Sequence, residues 1–275
     1  MTCAPSIVPD HPALPSRALT LAALRAQLPD PVEYFRTRKL ITKANAKFEK
    51  ADDDGSAYTQ VGVTMSPAWE SGVNMCAFAS NGCAMSCLKT TARQTWPAAL
   101  QARILRTHLF MFHRDVYLEY VERDLASERK AAHKRGERLV VRADTLSDTN
   151  VEIIYRNLML ECDQWMDYTK NPHRYAKFLA GKMPANYHLT FSRSETNERQ
   201  AFDFVRDGGT ATLVVRDARA LEYFVTHGYA GLPCVTGELN DRRWEDPKGH
   251  WVLLVAKGKA KTERTGFVVD APVAA

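Results

Sequence analysis

From residue 138 onward, short β-branched runs alternate with amphipathic helical stretches at a repeat of about 20–25 residues, and this rhythm constrains the fold more than any other feature. The strand-like runs are Leu139–Arg142, Trp165–Thr169, Tyr187–Phe191, Thr210–Arg216, Leu232–Thr236 and Trp251–Ala256. Helical patterns fill the intervals, at about 150–163, 172–182, 196–206 and 217–227. Such alternation builds βαβ units on a parallel sheet. So short a repeat predicts an α/β fold, a (β/α) barrel or partial barrel of parallel strands. A doubly wound dinucleotide-binding sheet is the other reading of the same rhythm. No G-x-G-x-x-G opens a helix to support it.

Upstream, Tyr58–Met65 alternates as a first strand, and two long helical stretches follow at Pro97–Val116 and Tyr117–Lys134, closed by Gly136. Residues 1–57 read as a small helical N-terminal extension, and residues 58–275 as the barrel-like domain. In the extension, Leu19, Leu21, Leu24 and Leu28 share a face before Pro29-Asp30-Pro31 breaks the helix. A second, basic amphipathic helix is expected from Val32 to Lys50, followed by a charged turn at Asp52–Gly55. No apolar run is long enough for a membrane span. The first residues lack the basic start and apolar block of a secretory signal, so a cytoplasmic protein is expected.

In that compartment six cysteines are more informative as ligands than as disulfides. Cys76, Cys83 and Cys87 fall within twelve residues as C-x6-C-x3-C, directly after the first strand, where the loops of a barrel build its active site. Thiolates are soft ligands that select iron–sulfur clusters, zinc or Cu(I). Three on one loop would hold three irons of a [4Fe–4S] cluster and leave the fourth open. A structural zinc wants four ligands, and Cys162 or Cys234 would complete either site, unless both are buried as small hydrophobes.

Polar clusters close the later strands: Ala143–Asp148, Asp167–Asn171, Ser192–Asn197 and Thr236–Arg242, with Lys257-Gly258-Lys259 after the last. Each alone reads as a helix cap. On parallel neighbours they would converge on one mouth, the one that holds the cysteines. The candidate catalytic residues are therefore Asp148, Asp167, Lys170, Arg193 and Glu195, of which Asp167 or Glu195 would move protons. Ser192, Ser194, Asn197, Thr236 and Lys257 are candidates for binding a cofactor or anionic ligand. Net charge is +5, but it is unevenly spread. Residues 88–143 carry 12 Lys and Arg against 6 acidic residues, and residues 248–264 carry 5 against 1. A phosphate-rich partner would suit those segments, as would a solvated helix face.

SPAWESG, the cysteine loop ending Cys87-Leu88, DYTKNP (Asp167–Pro172), YHLTFSRSETN (Tyr187–Asn197), DPKG (Asp246–Gly249) and AKGKAK (Ala256–Lys261) resemble the phage- and plasmid-encoded family called gene product 88, which has no established function. More distantly, three cysteines after the first strand of a barrel resemble the radical S-adenosylmethionine enzymes, although those usually space them C-x3-C-x2-C. These resemblances imply an iron–sulfur enzyme that would bind S-adenosylmethionine at the open iron and act on a nucleic acid or nucleotide. The alternative is a zinc-stabilised nucleic-acid-binding protein without catalysis. No H-x-H or paired-tyrosine arrangement supports a metal-independent nuclease.

Overall fold

The computed structural model describes residues 25–43 and 58–272. Seven parallel strands curl into a half-barrel: β1 (Tyr58–Gly62), β2 (Arg138–Arg142), β3 (Gln164–Thr169), β4 (Tyr187–Ser192), β5 (Thr210–Val215), β6 (Cys234–Thr236) and β7 (His250–Val255). They stand in the order β1-β2-β3-β4-β5-β7-β6, so the last crossover inserts β7 between β5 and the edge strand β6. A two-residue strand, β8 (Val268–Val269), returns to pair with the end of β5 at Val214 and Val215.

The helices lie where the hydrophobic rhythm predicts them, with shorter or divided spans. The first long pair runs Pro97–Phe112 and Arg114–Lys134, with the break at His113, whose backbone (φ −139°, ψ 56°) is not helical. The expected helix at 150–163 divides into two single turns, Val151–Ile154 and Arg156–Met159, on either side of Tyr155. Helices Pro172–Leu179, Glu198–Arg206 and Ala218–His227 alternate with β3 to β6. Asn171 and Asp217 cap two of them by accepting backbone N–H groups.

The expected helix from Val32 to Lys50 is much shorter. It spans Pro31–Arg36, capped by the Asp30 carboxylate, which accepts from Val32 N and Glu33 N. Tertiary hydrogen bonds end it. Leu40 N and Ile41 N donate to Asp124 Oδ2 at 2.5 and 3.3 Å, and Arg106 Nε donates to Leu40 O at 2.6 Å. A buried carboxylate thus takes the amides that helical bonds would use, and Leu40 and Ile41 enter the core. Leu19, Leu21 and Leu24 of the first expected helix, and the Asp52–Gly55 turn, lie outside the described residues.

Two layers of packing follow from strand alternation. Outward-facing Leu139, Val141, Trp165, Leu189, Phe191, Leu213 and Trp251 are fully buried under the helices. Tyr175 anchors this layer, 5.3 Å from the Phe191 ring and 4.9 Å from Phe204. Cys162 and Cys234 are both buried members of the same cluster. The inner face is mixed: Gln60 Nε2 donates to Met166 Sδ, and Thr212, Val214 and Leu254 face the cavity. The β6–β7 connection forms the floor beneath them. There Asp241 accepts from Arg142 NH1 (2.7 Å) and from the Tyr168 hydroxyl (2.6 Å). Among the described residues no helix is long and apolar enough to cross a membrane.

Candidate functional site

The carboxyl ends of the parallel strands surround a cavity of about 200 Å3. In open α/β sheets this is the end at which ligands bind. One wall is the cysteine loop. After β1 the chain runs through tight turns to Cys76, whose amide donates to Asn74 Oδ1 (2.9 Å), and then to a single helical turn, Asn81–Met85. Ser80 caps that turn by accepting from Cys83 N. Cys76, Cys83 and Cys87 are all free thiols, and all three line the cavity.

Several ties hold the loop in place. Asp148 N donates to Met75 O (2.9 Å), bridging the loop to the chain beyond β2. The Glu195 carboxylate, at the end of β4, accepts from Ser80 Oγ and Gly82 N, both at 2.7 Å. Gly82 itself packs so tightly that a Cβ there would stand 2.5 Å from Thr265 Oγ1 and 2.6 Å from Phe267 Cβ. The segment leading into β8 therefore closes over the loop. The thiols, in contrast, are held only weakly. Cys76 Sγ donates to Leu146 O at 3.6 Å and meets the Ala68 backbone, Cys87 meets the Lys89 backbone, and Cys83 meets the Lys170 side chain. Burial raises the Cys76 thiol far above its ordinary pKa, with Cys83, Cys87 and Asp148 nearby adding to the effect. Burial likewise pushes Cys87 up to about 11.

Beside Cys83 stands Lys170. Its Nζ donates to Ser192 Oγ at 2.8 Å and lies 5.7 Å from the Phe267 ring centre. Burial works against its charge, but Cys83 and Asp148 beside it hold its pKa above the usual lysine value. Asp148 accepts from Thr169 Oγ1 and Lys170 N, both at 2.8 Å, and from Arg174 NH1 at 3.4 Å. Lys257 stands at the outer edge, paired with Glu238 at 3.2 Å. Leu146, Val214, Leu254, Ala260 and Phe267 give the remaining wall an apolar surface.

Seven of the residues singled out by sequence thus meet at one cavity: Cys76, Cys83, Cys87, Asp148, Lys170, Ser192 and Lys257. The others lie beside it. Asp167 directly precedes Tyr168, which lines the cavity, and alternation turns it to the helix layer. There its Oδ1 accepts from Asp144 N (2.7 Å), and burial together with the Asp144 carboxylate raises its pKa well above the usual range. Arg193 is buried against the β8 segment, donating to Gly266 O, Phe267 O and the Glu198 carboxylate. Glu195 is engaged by Ser80 and Gly82. Ser194 and Asn197 bond one another at the start of a helix, Ser194 N donating to Asn197 Oδ1 at 2.6 Å. Thr236 accepts from Glu238 N. Sequence reasoning passed over Arg142, Tyr168 and Glu238, which do line the cavity. Strand parity was the available signal: Arg142 shares a face with Val140, two residues earlier, and Tyr168 with Lys170.

A family model described as Gene product 88 matches residues 36–271. No curated protein and no solved structure matches the chain.

Proposed function

The chain belongs to the gene product 88 family, whose name specifies no chemistry, and from the cavity we propose an iron–sulfur enzyme of radical S-adenosylmethionine-like type that acts on a nucleic acid or nucleotide. The observation that carries this reading is the meeting of three free thiols from one loop at the strand carboxyl ends. Among the described residues, no group of three or more His, Cys, Asp or Glu is arranged to hold a single metal ion. A cluster makes a different demand, because each thiolate binds its own iron. Cys162 and Cys234 belong to the helix-covered core, so neither supports a fourth ligand for the zinc-stabilised alternative. The half-buried Lys170 ammonium beside Cys83 also suits the negative charge that three thiolates would bring.

When bound, such a cluster would supply single electrons and one iron position open to a chelating ligand. The chain's own residues set the surroundings. Lys170 holds Ser192 by its oxygen, which leaves the hydroxyl proton to face a ligand carboxylate or phosphate. Asp148 is committed to Thr169, Lys170 N and Arg174, so it positions the Lys170 backbone. Val214, Leu254, Ala260 and Phe267 exclude water and offer a surface to the apolar part of a ligand.

Anaerobic purification with iron, sulfide and zinc analysis tests this reading. Iron and sulfide in comparable amounts and a broad visible charge-transfer absorption are expected. Cys76→Ala, Cys83→Ala and Cys87→Ala should each abolish loading. A colourless protein holding one zinc per chain would overturn the proposal.

A further inference from the structure

The rim of the cavity carries a surface that cluster binding leaves unused. Two 3-10 turns, Leu88–Thr90 and Ala92–Thr95, follow the last cysteine and pack on one another. The first also packs on a third 3-10 turn, Gly258–Thr262, beyond β7. Gly258 permits that approach: its φ is +55°, and a Cβ there would lie 2.4 Å from Thr91 Cγ2. Two basic segments distant in sequence thereby form one rim.

Residues 88–93 and 257–264 together hold six cations, Lys89, Arg93, Lys257, Lys259, Lys261 and Arg264, and a single carboxylate. That carboxylate, Glu263, is buried and accepts from Thr265 N and Val268 N, so it is turned inward, away from the rim. Lys89 is partly balanced by Glu70 at 3.7 Å and Lys257 by Glu238. Lys259 and Lys261 are exposed and form no ion pair among the described residues. Two exposed aromatic side chains lie on the same loop as Lys89 and Arg93. Trp96, where the second turn ends, is 59% exposed, and Phe78, next to cavity-lining Ala79, is 42% exposed.

Cations alone would suit any polyanion. Exposed aromatic faces on the loop that carries Lys89 and Arg93 add stacking, which requires bases that are not already paired. A duplex would offer its phosphates but hide its base faces. We propose that this rim binds single-stranded nucleic acid, its phosphates along Lys259 and Lys261 and its bases on Trp96 and Phe78. The inference deepens the reading of the cavity as acting on nucleic acid and rests on it for the purpose of binding, but not for its test.

The probe is a fluorescent oligothymidylate longer than the roughly 16 nucleotides that one binding fold can span, titrated against the full chain. Affinity should fall as salt rises, with a log–log slope near −0.7 for each phosphate neutralised. Lys259→Glu with Lys261→Glu should weaken binding at least about tenfold and reduce the slope by about 0.7 per lysine. Trp96→Ala should weaken it about fivefold or more with the slope unchanged. Lys130→Glu with Lys134→Glu, exposed on the Arg114–Lys134 helix, makes the same change in net charge and should have little effect. The inference is overturned if that control pair weakens binding equally. Duplex bound as tightly as single strand overturns it too, as do anionic phosphatidylserine vesicles bound in place of the oligonucleotide. Iron content measured on the same proteins separates the two readings. Rim variants that keep iron and keep full oligonucleotide affinity overturn this inference alone, and iron-free protein that still binds the oligonucleotide through Lys259, Lys261 and Trp96 supports it alone.

Discussion

On the β2–β3 side of the cavity Asp144 accepts from Ser147 Oγ, Thr149 N and Thr149 Oγ1, at 2.6 to 3.2 Å. Beside it Arg174 donates to Glu152 (2.8 Å), Asp148 (3.4 Å) and the Tyr187 hydroxyl. Across the cavity the three thiols make only weak contacts, Cys76 with Leu146 O and the Ala68 backbone, Cys87 with the Lys89 backbone and Cys83 with the Lys170 side chain. Both walls are built of chemically reactive side chains at strand ends, yet the first spends its polar groups on one another while the second leaves them to face the cavity. Buried charge that is fully paired fixes a shape. Half-buried soft donors with only weak partners do little for a shape, and that difference separates the scaffold of this mouth from its working surface.

The largest test of the comparison falls on the paired wall. Arg174→Met keeps most of the volume but leaves Asp144, Asp148, Asp167 and Glu152 without their shared cation. Removing one partner of a buried ionic network costs about 3–5 kcal/mol, equivalent here to a fall of roughly 10 °C in melting midpoint. Calorimetry of the variant would show it. A midpoint within roughly 2 °C of the parent would mean that the network is solvated and the wall is not a scaffold.

The floor extends the paired wall, and its sensitivity to acid sharpens the contrast. His188 lies near the Phe178 ring (5.4 Å), its Nε2 3.2 Å from Thr190 Oγ1. Burial, with the Arg243 cation adding to it, lowers its pKa to about 4 from 6.5. The folded chain therefore binds a proton here less readily than the unfolded chain. The stability it contributes is complete above pH 6.5 and is lost as pH falls toward 4. The shift corresponds to at most about 3 kcal/mol. His188→Gln should flatten that part of the loss in urea midpoints between pH 7 and 4.5. An unchanged acid limb would place the sensitivity elsewhere.

Much of this was legible in the sequence. The strand–helix rhythm locates β2 to β5 and β7 to within two residues because each is an apolar run between strong turn signals. It says nothing of strand order, and β8 is too short to have a pattern at all. The N-terminal helix was read too long because the carboxylate that ends it, Asp124, lies 84 residues away from Leu40. At the site, residue type at a strand end brought the thiols, Lys170, Ser192 and Asp148 to one cavity. Type without parity also selected Asp167, Arg193 and Glu195, which face the helices, the β8 segment and the back of the cysteine loop. Asp241 could not be read as part of the floor, since its partners Arg142 and Tyr168 lie on strands far upstream.

The smallest expected effect is on the open wall, where the comparison is most easily broken. Cys76→Ser, Cys83→Ser and Cys87→Ser combined in one chain exchange weak donors for hydroxyls of similar size. Such a hydroxyl at Cys76 can donate to Leu146 O in place of the thiol. In metal-free protein the change in unfolding free energy should stay below about 1 kcal/mol, because no buried network loses a member. The same chain should lose all metal binding, since hydroxyls do not replace thiolates as soft ligands. Stability and loading would then separate cleanly on this wall, whereas on the Arg174 wall stability alone would move. A metal-free loss approaching that of Arg174→Met would show the thiols packed as part of the scaffold, and the two walls would no longer differ in kind.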